Sequence, residues 1–249
     1  MKIGRRKLAI GGAIAASLGA IGAVRYRSMG RGPSGEAIRI RFSHVVTEDT
    51  PKGNAANYFR ELAFERTGGR VVVDVYPNSE LYKDNEELEA LQLGSIQMVA
   101  PSLAKLGPLG IREFELFDIP FLFEDYAAVH RVTQGTIGRE LMRRLSGTGL
   151  KALTFWDNGF KQVSANRPLV LPDDFRGLRM RIQGSEVIEA QMRALGAYSD
   201  PMALSDVYAA LQRGVVDGTE NTASNYFTQR MYEVQRDLTI SNHGYLGYV

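Results

Sequence analysis

Short β-prone runs alternate with capped helical segments along most of this chain, and that order constrains its fold more than any other feature. Ile38–His44 (IRIRFSH) alternates apolar and polar side chains, the period of a strand buried on one face. Thr50 and Pro51 follow as N-cap and first helical residue. The helix they open is expected to face inward through Ala55, Phe59, Leu62 and Ala63 and to stop at Gly68-Gly69. Val71–Tyr76 reads as a second strand, Asp84 to Glu87 as a capping box opening a short helix through Leu93, and Ile96–Ala100 as a third strand. Further on, Asp118–Phe123 reads as extended, Asp125–Leu145 as one long helix, Leu150–Trp156 as a strand and Pro172–Gly177 as a short turn or helix. Leu178–Gln183 is expected as a strand, Ser185–Leu195 and Ser205–Gln212 as helices, Asp217-Gly218 as a turn and Thr222–Val234 as a helix. No repeat recurs along the chain. The alternation indicates an α/β protein with largely parallel sheets. Such sheets bind ligands beyond the carboxyl ends of their strands, often where two lobes meet.

The N-terminus has a different character. Residues 1–30 carry six cations (Lys2, Arg5, Arg6, Lys7, Arg25, Arg27) and no acid, against a formal total of +2, so the remainder carries 2 − 6 = −4. The body is therefore mildly acidic, which argues against nucleic-acid binding. Leu8–Val24 is an uncharged run rich in Ala and Gly behind a basic start, the pattern of an export signal. Arg5-Arg6 raises the twin-arginine route. No small-x-small cleavage site precedes Arg25, so an uncleaved N-terminal anchor stands as the alternative, and the membrane would then be touched only through this leader. Residues 31–37 read as a linker. The chain has no cysteine, which excludes disulfides, thiolate catalysis and Cys-type metal sites.

Five stretches in the body carry a resemblance. FSHVVTEDTPKG (Phe42–Gly53), FWDNGFKQVSAN (Phe155–Asn166), RGLRMRIQ (Arg176–Gln183), ALSDVYAALQRGVVDGTEN (Ala203–Asn221) and the closing ISNHGYLGYV are together similar to the solute-binding subunits of tripartite ATP-independent periplasmic (TRAP) transporters, in their C4-dicarboxylate-binding branch. The resemblance implies a periplasmic-binding-protein-like fold of two α/β lobes with a ligand cleft between them. Residues 38–157 are expected to form most of the first lobe and 158–249 most of the second, with elements crossing between them. It implies an exported periplasmic receptor that hands a small carboxylate to TRAP membrane subunits. Members of the family usually continue beyond the segment ending at Val249, so the last elements of the family fold are expected to be missing. The segment ISNHGYLGYV itself is apolar and β-prone and should sit inside a sheet.

In the run LRMRIQ, Leu178, Met180 and Ile182 share one face and Arg179 and Arg181 the other. The residues alone are compatible with two solvated arginines at a sheet edge. The resemblance places Arg181 at the family's signature arginine, which forks onto the ligand carboxylate; a planar, always charged guanidinium suits that bidentate contact. It places Asn221 on an asparagine that contacts the same carboxylate, with an asparagine capping a turn as the alternative. A dicarboxylate needs a second cation, and Lys161 and Lys52 compete for that role, each equally readable as a solvated surface lysine. His44 lies in the loop where the family's first lobe meets ligand, or is held by local backbone. Ser102 and Asn225 are candidates by position only, and Phe155 and Trp156 are expected in the core.

Enzymatic function finds little support. His44, His130 and His243 are scattered, and G-x-S-x-G, P-loop, G-x-G-x-x-G and H-E-x-x-H motifs do not occur. Neither cofactor nor metal is expected. A membrane-anchored sensor of the same fold is the second alternative, motivated by the leader.

Overall fold

A computed structural model describes residues 36–249. The leader and residues 31–35 of the linker, with the signal and anchor readings, lie outside the described residues.

The first sheet starts as expected. β1 (Ile38–Ser43) pairs in parallel with β2 (Val71–Tyr76) on one side and with the short β3 (Met98–Val99) on the other. Between β1 and β2 runs α1 (Pro51–Thr67). Thr50 adopts an extended conformation, and its side chain accepts from the Gly53 N–H. Gly68, at φ 60°, closes the helix in the left-handed conformation that favours glycine. The buried row of α1 differs by one position from the expected one: Ala56 is fully buried, Phe59 and Ala63 pack beside it, and Lys52 lies a turn earlier on that row. α2 (Glu87–Gln92) leads into β3. Its cap residue is Glu86, with no side-chain cap bond, so Asp84 and Glu87 are free for other partners.

Five local expectations change. Arg112–Asp118 winds as a 3-10 helix, and Phe121 then turns left-handed at φ 57°, with its N–H donating to the His243 carbonyl. The long helix is two, α3 (Tyr126–Thr133) and α4 (Thr136–Leu145), broken at Gln134-Gly135. The next strand is β4 (Trp156–Ala165) rather than Leu150–Trp156. The expected turn at Asp217-Gly218 leads directly into a strand, β7 (Gly218–Thr222), buried along its whole length. Only Ala223–Thr228 (α7) of the expected helix 222–234 is α-helical.

The second sheet has the order β6-β5-β7-β4-β8, where β5 is Arg179–Ile182, β6 Tyr198–Pro201 and β8 Asp237–Thr239. β5 runs parallel to β6 and β7, and β4 runs antiparallel to β7 and β8. α5 (Glu186–Ala194) packs on one face, in a core of Val163, Met180, Ile182, Ile188 and Met192. α6 (Leu204–Gln212) packs on the other with Val46, Val207, Leu211 and Met231. β4 is shared between two environments: its first half pairs with β9 (Tyr245–Tyr248), its second half with β7 and β8. β9 reaches the first sheet through a bridge from Tyr248 to Ser102, and all four of its residues are buried, as expected for an interior strand. Leu246 and Tyr248 thereby join Phe42, Ala56 and Val73 in the first sheet's core.

Candidate functional site

The carboxyl ends of β1, β3, β5 and β7 converge on one small cavity of about 30 Å³. From the first sheet come Val45 and Val46 after β1, Pro101 and Ser102 after β3, and the carboxylates of Asp84 and Glu87. The second sheet contributes Arg181 and Gln183 at the end of β5, Asn221 at the end of β7, Asn225 on α7 and Leu204 at the start of α6. Tyr248 and Leu246 of β9 complete the wall. Polar side chains thus meet beyond the strand ends of parallel sheets, where the α/β rule puts a ligand.

Arg181 is only 1% exposed, so the alternative of a solvated arginine is overturned. Its neighbour Arg179 is the one that reaches solvent. The Arg181 guanidinium is anchored by its back edge: Nε and Nη2 both donate to the Met202 carbonyl, at 3.0 and 2.7 Å. Nη1 is buried without a hydrogen-bond partner. Burial pulls the Arg181 pKa down, opposed by the charges of Asp84 and Glu220; guanidinium stays protonated regardless. Among the described residues no carboxylate forms a salt bridge with it. A buried cation with free donors is costly, and a carboxylate entering the cavity would satisfy both its charge and its donors.

Asn221 and Asn225 stand together. The Asn221 side-chain oxygen accepts from the Thr222 N–H and from the Asn225 amide, both at 2.9 Å. That leaves the Asn221 amide nitrogen as the free donor at the cavity. Ser102 donates to the Gln183 side-chain oxygen at 2.6 Å, joining the two sheets across the cavity. Other links cross at the rim: the Leu204 N–H reaches Asp84 at 3.3 Å, Lys83 meets Asp206 at 2.9 Å, and Arg112 meets Glu186.

The two lysines part company. Both are buried, at 2% for Lys161 and 5% for Lys52, so neither is a surface lysine. Lys161 lies outside the cavity wall, its ammonium held by Asp118 at 2.7 Å and Glu220 at 3.2 Å. Lys52 donates to the Ala100 carbonyl at 3.1 Å and sits 3.8 Å over the ring of Tyr248, a cavity residue, in cation–π contact. Burial lowers the Lys52 pKa; Glu87 and then Asp84 oppose that shift. Glu87 accepts from Ser43 Oγ at 2.8 Å, and burial raises its carboxyl to about 7 against the pull of Lys52. Asp84 is paired with Lys105 at 3.3 Å.

His44 is fully buried behind the wall, with no hydrogen-bond partner at either ring nitrogen. Burial first, and then the charge of Lys52, lower its pKa to about 4, so it is neutral at pH 7. Phe155 packs against Phe114 and Phe117, and Trp156 against Phe42.

Four polar wall residues are not site candidates in the sequence: Asp84, Glu87, Gln183 and Tyr248. Gln183 was within reach, because it lies two residues after Arg181 and so on the same strand face. Asp84 and Glu87 were assigned to a helix cap instead. Tyr248 gave no local signal; its place depends on β9 returning to the first sheet.

The chain matches the family described as bacterial extracellular solute-binding protein, family 7, over residues 42–249. It is 64% identical over 213 residues to the C4-dicarboxylate-binding periplasmic protein DctP of Rhodobacter capsulatus, and 47% identical over 214 residues to the C4-dicarboxylate-binding protein DctB of Bacillus subtilis. Each alignment covers 86% of this chain; they cover 64% and 61% of those relatives, so the chain spans less than two thirds of their length. A TRAP periplasmic solute binding protein from Sulfurospirillum deleyianum, solved with bound succinate, superposes with a TM-score of 0.84 at 46% identity, covering 86% of this chain and 69% of that one. One from Pseudomonas aeruginosa with bound L-malate gives 0.82 at 46% identity, covering 85% and 73%.

Proposed function

Because this chain belongs to the bacterial extracellular solute-binding proteins, family 7, we propose that it is a periplasmic receptor that captures a C4-dicarboxylate and delivers it to TRAP-type membrane subunits. The observation that carries this reading is Arg181, fully buried at the cavity, anchored from behind by Met202 and with Nη1 unpartnered. The wall around it fits an organic diacid. Arg181 and the Asn221 amide take one carboxylate, Gln183 and Ser102 lie beside them, and Lys52 stands behind Tyr248 as the second cation. Lys161 serves instead to neutralise Asp118 and Glu220 where β4 and β7 pair. The relatives named for C4-dicarboxylates, and the structures with succinate and malate, support the same ligand class.

The two lobes of this reading are residues 38–157 and 158–249, with β4 and β9 as the crossing elements. Arg181, Asn221 and Glu87 are all buried in the cavity wall, shielded from solvent. Ligand therefore enters when the lobes part, and the rim contacts Lys83–Asp206, Asp84–Leu204 and Arg112–Glu186 re-form around it.

The test is a thermal-shift screen against succinate, malate, fumarate, monocarboxylates and sugar acids, followed by calorimetry. C4-dicarboxylates should raise the melting temperature, with the logarithm of ligand concentration once it exceeds Kd. Stabilisation by none of the acids would refute the reading; stabilisation by sugar acids alone would move the ligand class.

A further inference from the structure

Five charged side chains stand in or just behind the cavity wall: Arg181, Asp84 and Glu87 line it, and Lys105 and Lys52 lie behind them. Arg181 contributes +1. Asp84 and Lys105 cancel through their salt bridge. Glu87 and Lys52 cancel through space, each the largest charge acting on the other. The sum is +1, which matches a monocarboxylate. A dicarboxylate would leave −1 inside a desolvated enclosure, where uncompensated charge is expensive. The Lys161–Asp118–Glu220 cluster next to it sets one cation against two carboxylates, so it supplies no positive charge to the ligand.

Resting on the dicarboxylate reading above, we infer that binding of a dicarboxylate is accompanied by protonation of Glu87, which frees the Lys52 ammonium from its internal counter-charge to serve the ligand's second carboxylate. The proton comes from solvent and joins a Glu87 carboxylate oxygen. The geometry suits the exchange. Glu87 lines the same cavity as Arg181. It opens α2, and every packed element presents a group to it: Ser43 from β1, Lys52 from α1 with neutral His44 beside it, Asp84 from its own segment and Lys105 from the turn after β3. Its carboxyl already sits near neutrality because of burial, so the change is within reach at physiological pH. A ligand carboxylate and the Asp84 charge both push it further up, whereas Lys52 and Lys105 oppose.

The sign follows from linkage. A group whose pKa rises on binding takes up a proton, so affinity is greatest below its free-state pKa and falls as pH rises past it. Succinate affinity should fall as pH rises above about 7, by up to about tenfold per unit, until the ligand-bound pKa is passed, while butyrate affinity stays flat.

Calorimetry of the full chain near pH 7, in buffers of different ionisation enthalpy, counts the protons directly. Succinate should bring up to about half a proton near pH 7, rising toward one above it, and butyrate about none. Glu87→Gln, which keeps the acceptor for Ser43, should abolish the uptake, flatten the pH profile and bind succinate more tightly than wild type above neutral pH. Succinate binding without proton uptake in the wild-type chain overturns the inference and leaves the receptor reading intact, whether or not the variant folds. Uptake that persists in Glu87→Gln overturns it too, by placing the proton elsewhere, with Asp118 the next candidate. Failure of every organic acid to bind sinks the receptor reading itself.

Discussion

Replacing Arg181 by lysine tests the core of the argument, because it preserves the charge and removes only the fork. In the wild-type chain the back edge of the guanidinium occupies Met202, through Nε and Nη2, while Nη1 remains for the cavity. A lysine ammonium is a single point on a flexible stem. It can hold the Met202 carbonyl or lean toward a carboxylate, but it cannot present two parallel donors in a fixed plane. At 1% exposure, no solvent replaces what is lost. Losing a charge-assisted bidentate contact in a desolvated site costs about 2–4 kcal/mol, or roughly 30- to 1,000-fold in affinity. The empty protein should be much less affected, because Met202 keeps a charged donor. The assay is calorimetry with succinate beside a thermal melt of the ligand-free protein. A loss of affinity of that size with a nearly unchanged melt is the expected result; wild-type affinity for succinate would remove Arg181 from the site. Arg181→Met is the complement. It should abolish binding; in the empty protein the relief of an unpaired buried charge offsets the loss of both donors to the Met202 carbonyl, so the melt should change little.

Three further outcomes follow from the packing. Lys161→Met strands Asp118 and Glu220 in the interior and should cost about 3–5 kcal/mol in denaturant titration; an unchanged midpoint would mean the cluster is not the neutralised unit its geometry indicates. Gly218→Ala places a methyl group 2.4 Å from the Ser164 carbonyl oxygen and 3.0 Å from the Met180 sulfur, so it should destabilise the second sheet. About 1–3 kcal/mol is expected, read from the melt, and a neutral substitution would show that β4 and β7 can separate there. His44 and His243 are both held to about 4 by burial, below their ordinary value of 6.5, so their contribution to stability is complete above pH 6.5 and is lost as pH falls toward 4. His44→Phe should flatten that part of the stability–pH curve, and a curve identical to wild type would count against the burial argument.

The features that the sequence alone determined are those set by short-range geometry. Thr50 and Pro51 fix the start of α1, because an N-cap needs only a side-chain oxygen and the next turn of backbone. Gly68 fixes its end for a similarly local reason. The alternation of Ile38–Ser43 and of Arg179–Ile182 places side chains on opposite faces without reference to the rest of the molecule. That periodicity put Arg181 on the correct strand, but a two-residue period cannot distinguish a sheet edge from a sheet centre. Only the parallel pairing of β5 with both β6 and β7 decided that Arg181 is buried.

Tertiary structure overruled local polarity elsewhere. Asp217-Gly218 reads as a turn and Thr222 as the start of a helix, yet Gly218–Thr222 (GTENT) is a fully buried strand, because its polar side chains find partners: Glu220 with Lys161 and Gln183 and Thr222 with Asn158 at long range, Asn221 with Asn225 locally. The same holds for the lysines. One sequence position away from a glycine or a phenylalanine, Lys52 and Lys161 look alike, and their difference lies in the carboxylates that the fold brings to each. Asp118, 43 positions before Lys161, neutralises that ammonium, whereas Lys52 faces a carboxylate that burial holds near neutrality. Charge balance in an interior is a property of neighbours, and neighbours far apart in the chain are chosen only when the two sheets close on each other.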